Sequence, residues 1–107
     1  MRSFMVIAIP MDEKKEDAGI SSVLGRAAFF ALYDTETKAL SYIDNPAMKE
    51  PRGAGVAAAR ALQDAGVEKV VTSHVGPNAQ SALEAGDIEI VLEEGGTLSS
   101  IIEKYSK

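Results

Sequence analysis

Phe4-Met5-Val6-Ile7-Ala8-Ile9-Pro10 is the stretch on which the fold of this chain turns. A strand that is wet on one face alternates apolar with polar side chains, whereas this run is apolar throughout and therefore describes a strand covered on both faces. Such a strand belongs in the middle of a sheet. Pro10 lacks an N–H and is expected to end it.

Outward from that run, residues 11–22 are polar, carry Asp12, Glu13, Lys14, Lys15, Glu16 and Asp17, and are broken by Gly19, so they read as an exposed, solvated loop. Residues 28–33 and 40–43 are aromatic and β-branched runs separated by Asp34-Thr35-Glu36-Thr37-Lys38, the pattern of a β-hairpin. After Asn45-Pro46 a second polar loop carries Lys49, Glu50, Pro51 and Arg52 to Gly53-Ala54-Gly55, which opens a helix running to about Ala65 and stopped by Gly66. Val56, Ala59 and Leu62 recur on that helix, and Ala57, Ala58, Ala61 and Ala65 keep its surface thin enough to lie close against a sheet. Residues 67–75 form a strand centred on Val70-Val71. Pro77 then suits a first helical turn, and a helix over 78–85 stops at Gly86. Residues 88–92 supply a fifth strand. Beyond Glu93-Glu94 and the Gly95-Gly96 turn, Thr97 caps a last helix whose Leu98, Ile101, Ile102 and Tyr105 fall on one face.

The predicted order is βββαβαβα. Strands alternating with helices pair in parallel through crossovers, while the first three strands make an antiparallel meander. The expectation is an α/β fold: a five-stranded mixed sheet, order 3-2-1-4-5, with three helices, which is the ribonuclease H-like arrangement. With 107 residues, 46% hydrophobic and 25% charged, the chain is expected to be one globular domain over 1–107.

Composition narrows the chemistry. The absence of cysteine excludes disulfides and thiolate ligands from this chain. A net charge of −5 argues against a nucleic-acid partner, since phosphate neutralisation requires a basic face. No stretch approaches the ~20 apolar residues a bilayer crossing requires. The run at residues 4–10 is also too short, and its flanks wrong, for a signal peptide, so the expected location is the cytoplasm. A nuclease built on this topology needs carboxylates from its first strand to hold two metal ions ~4 Å apart, and residues 4–9 contain none. His74 and its neighbour Ser73 would point to opposite faces of a strand, so no nucleophile–base pair is supported and no enzyme is expected.

The glycines stand out instead. Gly53 and Gly55 precede one helix, Gly76-Pro77 the next and Gly95-Gly96 the third. Helix N-termini offer free N–H groups and partial positive charge, so those that converge on one sheet edge form an anion site; plain turn chemistry explains the same glycines equally well. Neither a P-loop nor a dinucleotide fingerprint occurs. Arg26 can offer a planar fork to a carboxylate, a phosphate or a cluster-bound acid, or pair with a loop acid. His74 reads as a ligand or as an exposed turn residue, and Asn78 as a first-turn hydrogen-bonding group or part of the site.

Several segments carry a family likeness in their order: Met5-Val6-Ile7-Ala8-Ile9-Pro10, Leu24-Gly25-Arg26-Ala27-Ala28-Phe29-Phe30-Ala31-Leu32-Tyr33-Asp34, Asp44-Asn45-Pro46-Ala47, Gly53-Ala54-Gly55 and His74-Val75-Gly76-Pro77-Asn78-Ala79. The chain resembles the dinitrogenase iron-molybdenum cofactor biosynthesis family over nearly its whole length, with Gly-Arg-Ala and Gly-Pro-Asn-Ala the most specific marks. The resemblance implies a ribonuclease H-like carrier or assembly factor that transiently holds an iron-molybdenum cofactor or an iron-sulfur cluster and works with an assembly-protein partner. It implies a cofactor-binding set of Ser21, Gly25, Arg26, Arg52, Gly53, Gly55, His74, Gly76 and Asn78. In the family's Ser-x-His-Phe-Gly-Arg pattern Ser21 matches, but Val23 stands at the histidine and Leu24 at the phenylalanine; Arg52 replaces a second histidine. His74 is then the one metal ligand. A single imidazole can hold a corner of a preformed cluster but cannot build a mononuclear zinc site. The chain is therefore expected to be a monomer carrying no metal when purified in air. The competing reading is an anion-binding or protein-interaction module that carries no cluster.

Overall fold

An apolar strand with both faces covered needs a layer on each side, and that is the arrangement in a computed structural model describing residues 5–21, 24–49, 53–93 and 95–106. The sheet has five strands in the order β3-β2-β1-β4-β5. They are β1 (Val6–Met11), β2 (Phe29–Asp34), β3 (Leu40–Asp44), β4 (Lys69–Thr72) and β5 (Glu89–Leu92), with helices α1 (Ala54–Asp64), α2 (Pro77–Ala85) and α3 (Leu98–Tyr105). β1 pairs antiparallel with β2 and β2 with β3, while β1 with β4 and β4 with β5 are parallel. The expected α/β sheet order and helices are thus present.

Alternation along β1 explains its composition. Ile7, Ile9 and Met11 join Ala31, Val71, Leu98 and Ile101 on the α3 side, whereas Ala8 joins Phe30, Ala58, Leu62, Val70 and Leu83 on the α1 and α2 side. Every position meets a core, so none is polar. α1 lies close because its buried residues are Ala58, Ala59 and Leu62. The face differs slightly from the expected one: Val56 is only half-buried, because the stripe toward the sheet follows the i, i+4 row.

Three expectations are corrected by long-range pairing. Pro10 does not end β1, which runs on to a fully buried Met11. The carbonyls of Val6 and Pro10 accept from Glu68 and Ser21, so even-numbered residues of β1 turn their main-chain groups toward β4. The β1–β4 register reaches only Ile7 with Lys69 and Ala8 with Val70, so the N–H that Pro10 lacks costs no ladder bond. Nor are residues 11–22 simply an exposed loop. Asp12 through Asp17 are exposed, but Ala18 and Ile20 pack on the α3-side core, Met11 bridges Ile20, and Gly19 bridges Thr97. The expected strand over 67–75 is shorter, because parallel pairing with β5 covers only Lys69 to Thr72. Phe4, Ser22, Val23, Glu50, Pro51, Arg52 and Glu94 lie outside the described residues.

Candidate functional site

The site is built where β1 and β4 part. Beyond Ala8 the place of β4 beside β1 is taken by Ile20-Ser21: the Ser21 N–H donates to the Pro10 carbonyl at 2.7 Å, and Ser73 Oγ donates to the Ser21 carbonyl at 3.5 Å. The chain thereby crosses to the α1 face and turns through a 3₁₀ segment, Leu24–Arg26, that carries the guanidinium. Asn45, 4% exposed, anchors this turn. Its Nδ2 donates to the carbonyls of Leu24 at 3.3 Å and Ala27 at 2.8 Å, while its Oδ1 accepts from the Ala47 N–H at 3.0 Å. On the β4 side, Thr72 Oγ1 donates to the His74 carbonyl at 3.2 Å and holds the loop leading into α2.

Missing side chains let the three segments close up. A Cβ on Gly25 would stand 3.1 Å from the Ala54 carbonyl carbon and the Gly55 nitrogen, and one on Gly55 would stand 2.8 Å from Ala79 Cβ. The Leu24–Arg26 turn, the start of α1 and the start of α2 therefore pack at a separation that only glycine permits. Between them lies a cleft of about 240 Å³ lined by Leu24, Gly25, Arg26, Ala54, Gly55, His74, Gly76, Pro77, Asn78 and Ala79.

Of the sequence-predicted residues, Gly25, Arg26, Gly55, His74, Gly76 and Asn78 meet in this cleft. Ser21 is buried behind it through the hydrogen bonds above, and Gly53 sits just outside as the N-cap of α1 with φ +68°. Arg52 is among the residues not described. Arg26, His74 and Asn78 are all exposed, and among the described residues no carboxylate is ion-paired with Arg26. Both helices begin at glycine caps that supply no side-chain hydrogen bond, and among the described residues no acidic one lines the cleft. Arg26 and the two helix starts thus bring positive charge to the cleft in a chain of net charge −5. Such an arrangement can bind an anion, with one imidazole available for a bond to a metal. Among the described residues no group of three His, Asp or Glu gathers that would hold a bare ion.

The third glycine-led helix start does not join them. The N–H groups of Leu98 and Ser99 donate to the Ala18 and Glu16 carbonyls, and Thr97 and Ser100 form a reciprocal capping box, so the α3 N-terminus is satisfied on the opposite face of the sheet. Sequence reasoning missed Asn45 and Thr72, the two buried polar side chains that hold the turns. Asn45-Pro46 was legible only as the signal for a turn, because the carbonyls that Asn45 grips lie some twenty residues earlier in the chain.

Comparison with known proteins agrees with this architecture. The apo form of the orange protein from Desulfovibrio gigas is similar at 32% identity and a TM-score of 0.88, covering 94% of this chain and 86% of that one. A candidate NifB protein from Thermotoga is similar at 31% identity and a TM-score of 0.82, covering 95% and 87%. A candidate dinitrogenase from Methanocaldococcus jannaschii, at 19% identity, a TM-score of 0.66 and coverage of 94% and 90%, shares the fold. Among curated proteins none is similar enough to match. The sequence profile of the dinitrogenase iron-molybdenum cofactor family matches residues 5–107. On that match across nearly all its length, the chain belongs to the dinitrogenase iron-molybdenum cofactor family.

Proposed function

We propose that this protein is a single-domain, non-enzymatic carrier that takes up a preassembled anionic metal-sulfur cluster, of the iron-molybdenum or iron-sulfur type, in the cleft between the starts of α1 and α2. The observation that carries the reading is the meeting of Arg26, His74 and two helix N-termini without side-chain caps in one cleft whose described lining holds no acid. The helix ends and the guanidinium attract negative charge and orient it. His74 adds a single bond to a metal of the cluster. A cluster brings its own sulfides and so requires few protein ligands, which suits a donor set too small for a bare ion. Membership of a cofactor family, and likeness to a protein whose structure is described as an apo form, support the same reading.

Anaerobic addition of iron-molybdenum cofactor or iron-sulfur clusters to the purified chain, followed by absorbance and paramagnetic resonance, tests it. A saturable new spectrum is expected. His74→Ala and Arg26→Ala should each weaken uptake, and the contribution of Arg26 should shrink at high salt because exposed charges are screened beyond ~10 Å at 0.1 M. A full equivalent of tightly held metal in aerobically purified protein, or uptake unchanged in both variants, overturns the reading. Inorganic anions that bind the cleft while clusters do not would assign it to anion binding alone.

A further inference from the structure

β4 ends in a side chain that packing alone does not call for. Thr72 follows Val70 and Val71, and all three are fully buried. A valine would fill the same space, and a buried hydroxyl without a partner costs stability, so the hydroxyl is accounted for by the bond it makes. That bond runs to the carbonyl of His74, two residues on, at 3.2 Å. Thr72 is itself fixed to the sheet: it pairs with Leu92 of β5, and its carbonyl accepts from the Glu93 N–H at 2.9 Å. It is a rigid post at the point where the chain leaves the sheet for the cleft. His74 depends on such a post. Its imidazole is exposed and, among the described residues, has no hydrogen-bond partner. A histidine that ligates a metal ordinarily donates from its second ring nitrogen to a fixed acceptor, which sets the ring. Without that acceptor the ring is aimed by its main chain. Ser73 Oγ reaches the Ser21 carbonyl at 3.5 Å and Val75 packs on the core, but the Thr72 hydroxyl grips the carbonyl of His74 itself.

We propose that Thr72 is a positioning residue for His74: through the main chain it does what an acceptor on the second ring nitrogen does in other histidine sites, and it holds the imidazole where a cluster seated in the cleft can take it as a ligand. The proposal rests on the carrier reading above and names a residue that never touches the cluster. Thr72 works on the imidazole and not on the charge attraction, because Arg26 stands on a different segment, held by Asn45. Two substitutions separate this role from packing. Thr72→Val keeps the branched shape and loses the hydroxyl, whereas Thr72→Ser keeps the hydroxyl and loses a buried methyl group. A packing role makes serine the damaging change; a positioning role makes valine the damaging one.

The test uses the full chain in two states. Because the chain has one histidine, ¹⁵N-histidine labelling of the empty protein isolates the His74 amide, whose heteronuclear NOE reports the order of that residue. It should fall in Thr72→Val and stay at the parent value in Thr72→Ser. Anaerobic titration with a synthetic iron-sulfur cluster then reads uptake. Thr72→Val should weaken it about tenfold with a thermal melt no lower than the parent's, and Thr72→Ser should melt lower yet take up cluster like the parent. In a His74→Ala background Thr72→Val should have no further effect, since it acts through the imidazole. Undiminished order at His74 in the empty Thr72→Val protein overturns the proposal whatever the cluster does. So does parental uptake by Thr72→Val, failure of Thr72→Ser to restore uptake, or an equal loss with and without His74. A parent chain that takes up no cluster at all overturns the carrier reading, and the role of Thr72 toward a cluster falls with it.

Discussion

Replacing Asn45 by alanine removes a side chain that ties the exit of β3 to the turn carrying Arg26. Ala27 and Ala47 are themselves fully buried, so the carbonyl of the first and the N–H of the second lose their partners where water does not replace them. Each such buried, unsatisfied group costs about 1–3 kcal/mol, and the longer 3.3 Å contact to Leu24 adds less. A loss of about 3 kcal/mol is therefore expected for Asn45→Ala. At about 2.1 cal/mol/K of unfolding entropy per residue, that lowers Tm by roughly 10–15 °C in a chain of 107 residues. Asn45→Asp sharpens the argument. A carboxylate keeps the bond from the Ala47 N–H but faces two carbonyls with no donor, so the folded state disfavours its ionised form and raises its pKa. The unfolded chain then releases this proton first, near pH 4, and the variant's stability falls as pH rises above that value. Calorimetric melts at pH 4 and pH 7 read both effects. A Tm within about 3 °C of the parent for Asn45→Ala, or no loss at pH 7 for Asn45→Asp, would refute the anchoring role.

Gly55→Ala sets a helix-propensity gain of at most ~1 kcal/mol against a 2.8 Å approach to Ala79 Cβ; overpacking of about 1–3 kcal/mol wins, so the denaturation midpoint should fall rather than rise. Ile101→Asp places a carboxylate in the α3-side core at a cost on the order of 4 kcal/mol, and an unchanged urea midpoint would contradict the docking of α3. Burial, and then the nearby Glu16, hold the Tyr42 phenol above its usual value of 10.0. Its neutral form stabilises the fold below that pH, and the contribution is lost as pH climbs through the raised value; Tyr42→Phe should therefore flatten the alkaline arm of a stability–pH curve. Lys104 is likewise raised by its hydrogen bond to Glu93, a contribution present below the lysine's ordinary value of 10.5 and lost in the alkaline window; because the pair is exposed the contribution is small, so Glu93→Gln should lower stability only slightly at neutral pH and remove the matching alkaline loss.

Periodicity made much of the fold legible from sequence. The unbroken apolar run of β1 called for a layer on each side of the sheet, the hairpin and crossover patterns ordered the strands, and Leu98, Ile101, Ile102 and Tyr105 marked the face by which α3 docks. These are local signals, written within a turn of helix or a few residues of strand. The glycines, Arg26, His74 and Asn78 were also visible as candidates, because residue type and position at a helix start are local facts.

What those candidates do to one another was not local. Gly25 and Gly55 line the cleft and are also close-packing positions, since a Cβ on either would meet Ala54, Gly55 or Ala79. The three glycine-led helix starts looked equivalent in sequence. In the folded chain the backbone carbonyls of Glu16 and Ala18 consume the N–H groups at the start of α3, while the starts of α1 and α2 face each other across the cleft. Pro10 stayed inside β1 because the strand that would have required its N–H had already turned away. In each case the outcome was decided by a hydrogen bond or a contact between residues far apart in the chain. Pairings of that kind exist only once the whole chain has folded around them, and composition and spacing do not encode them.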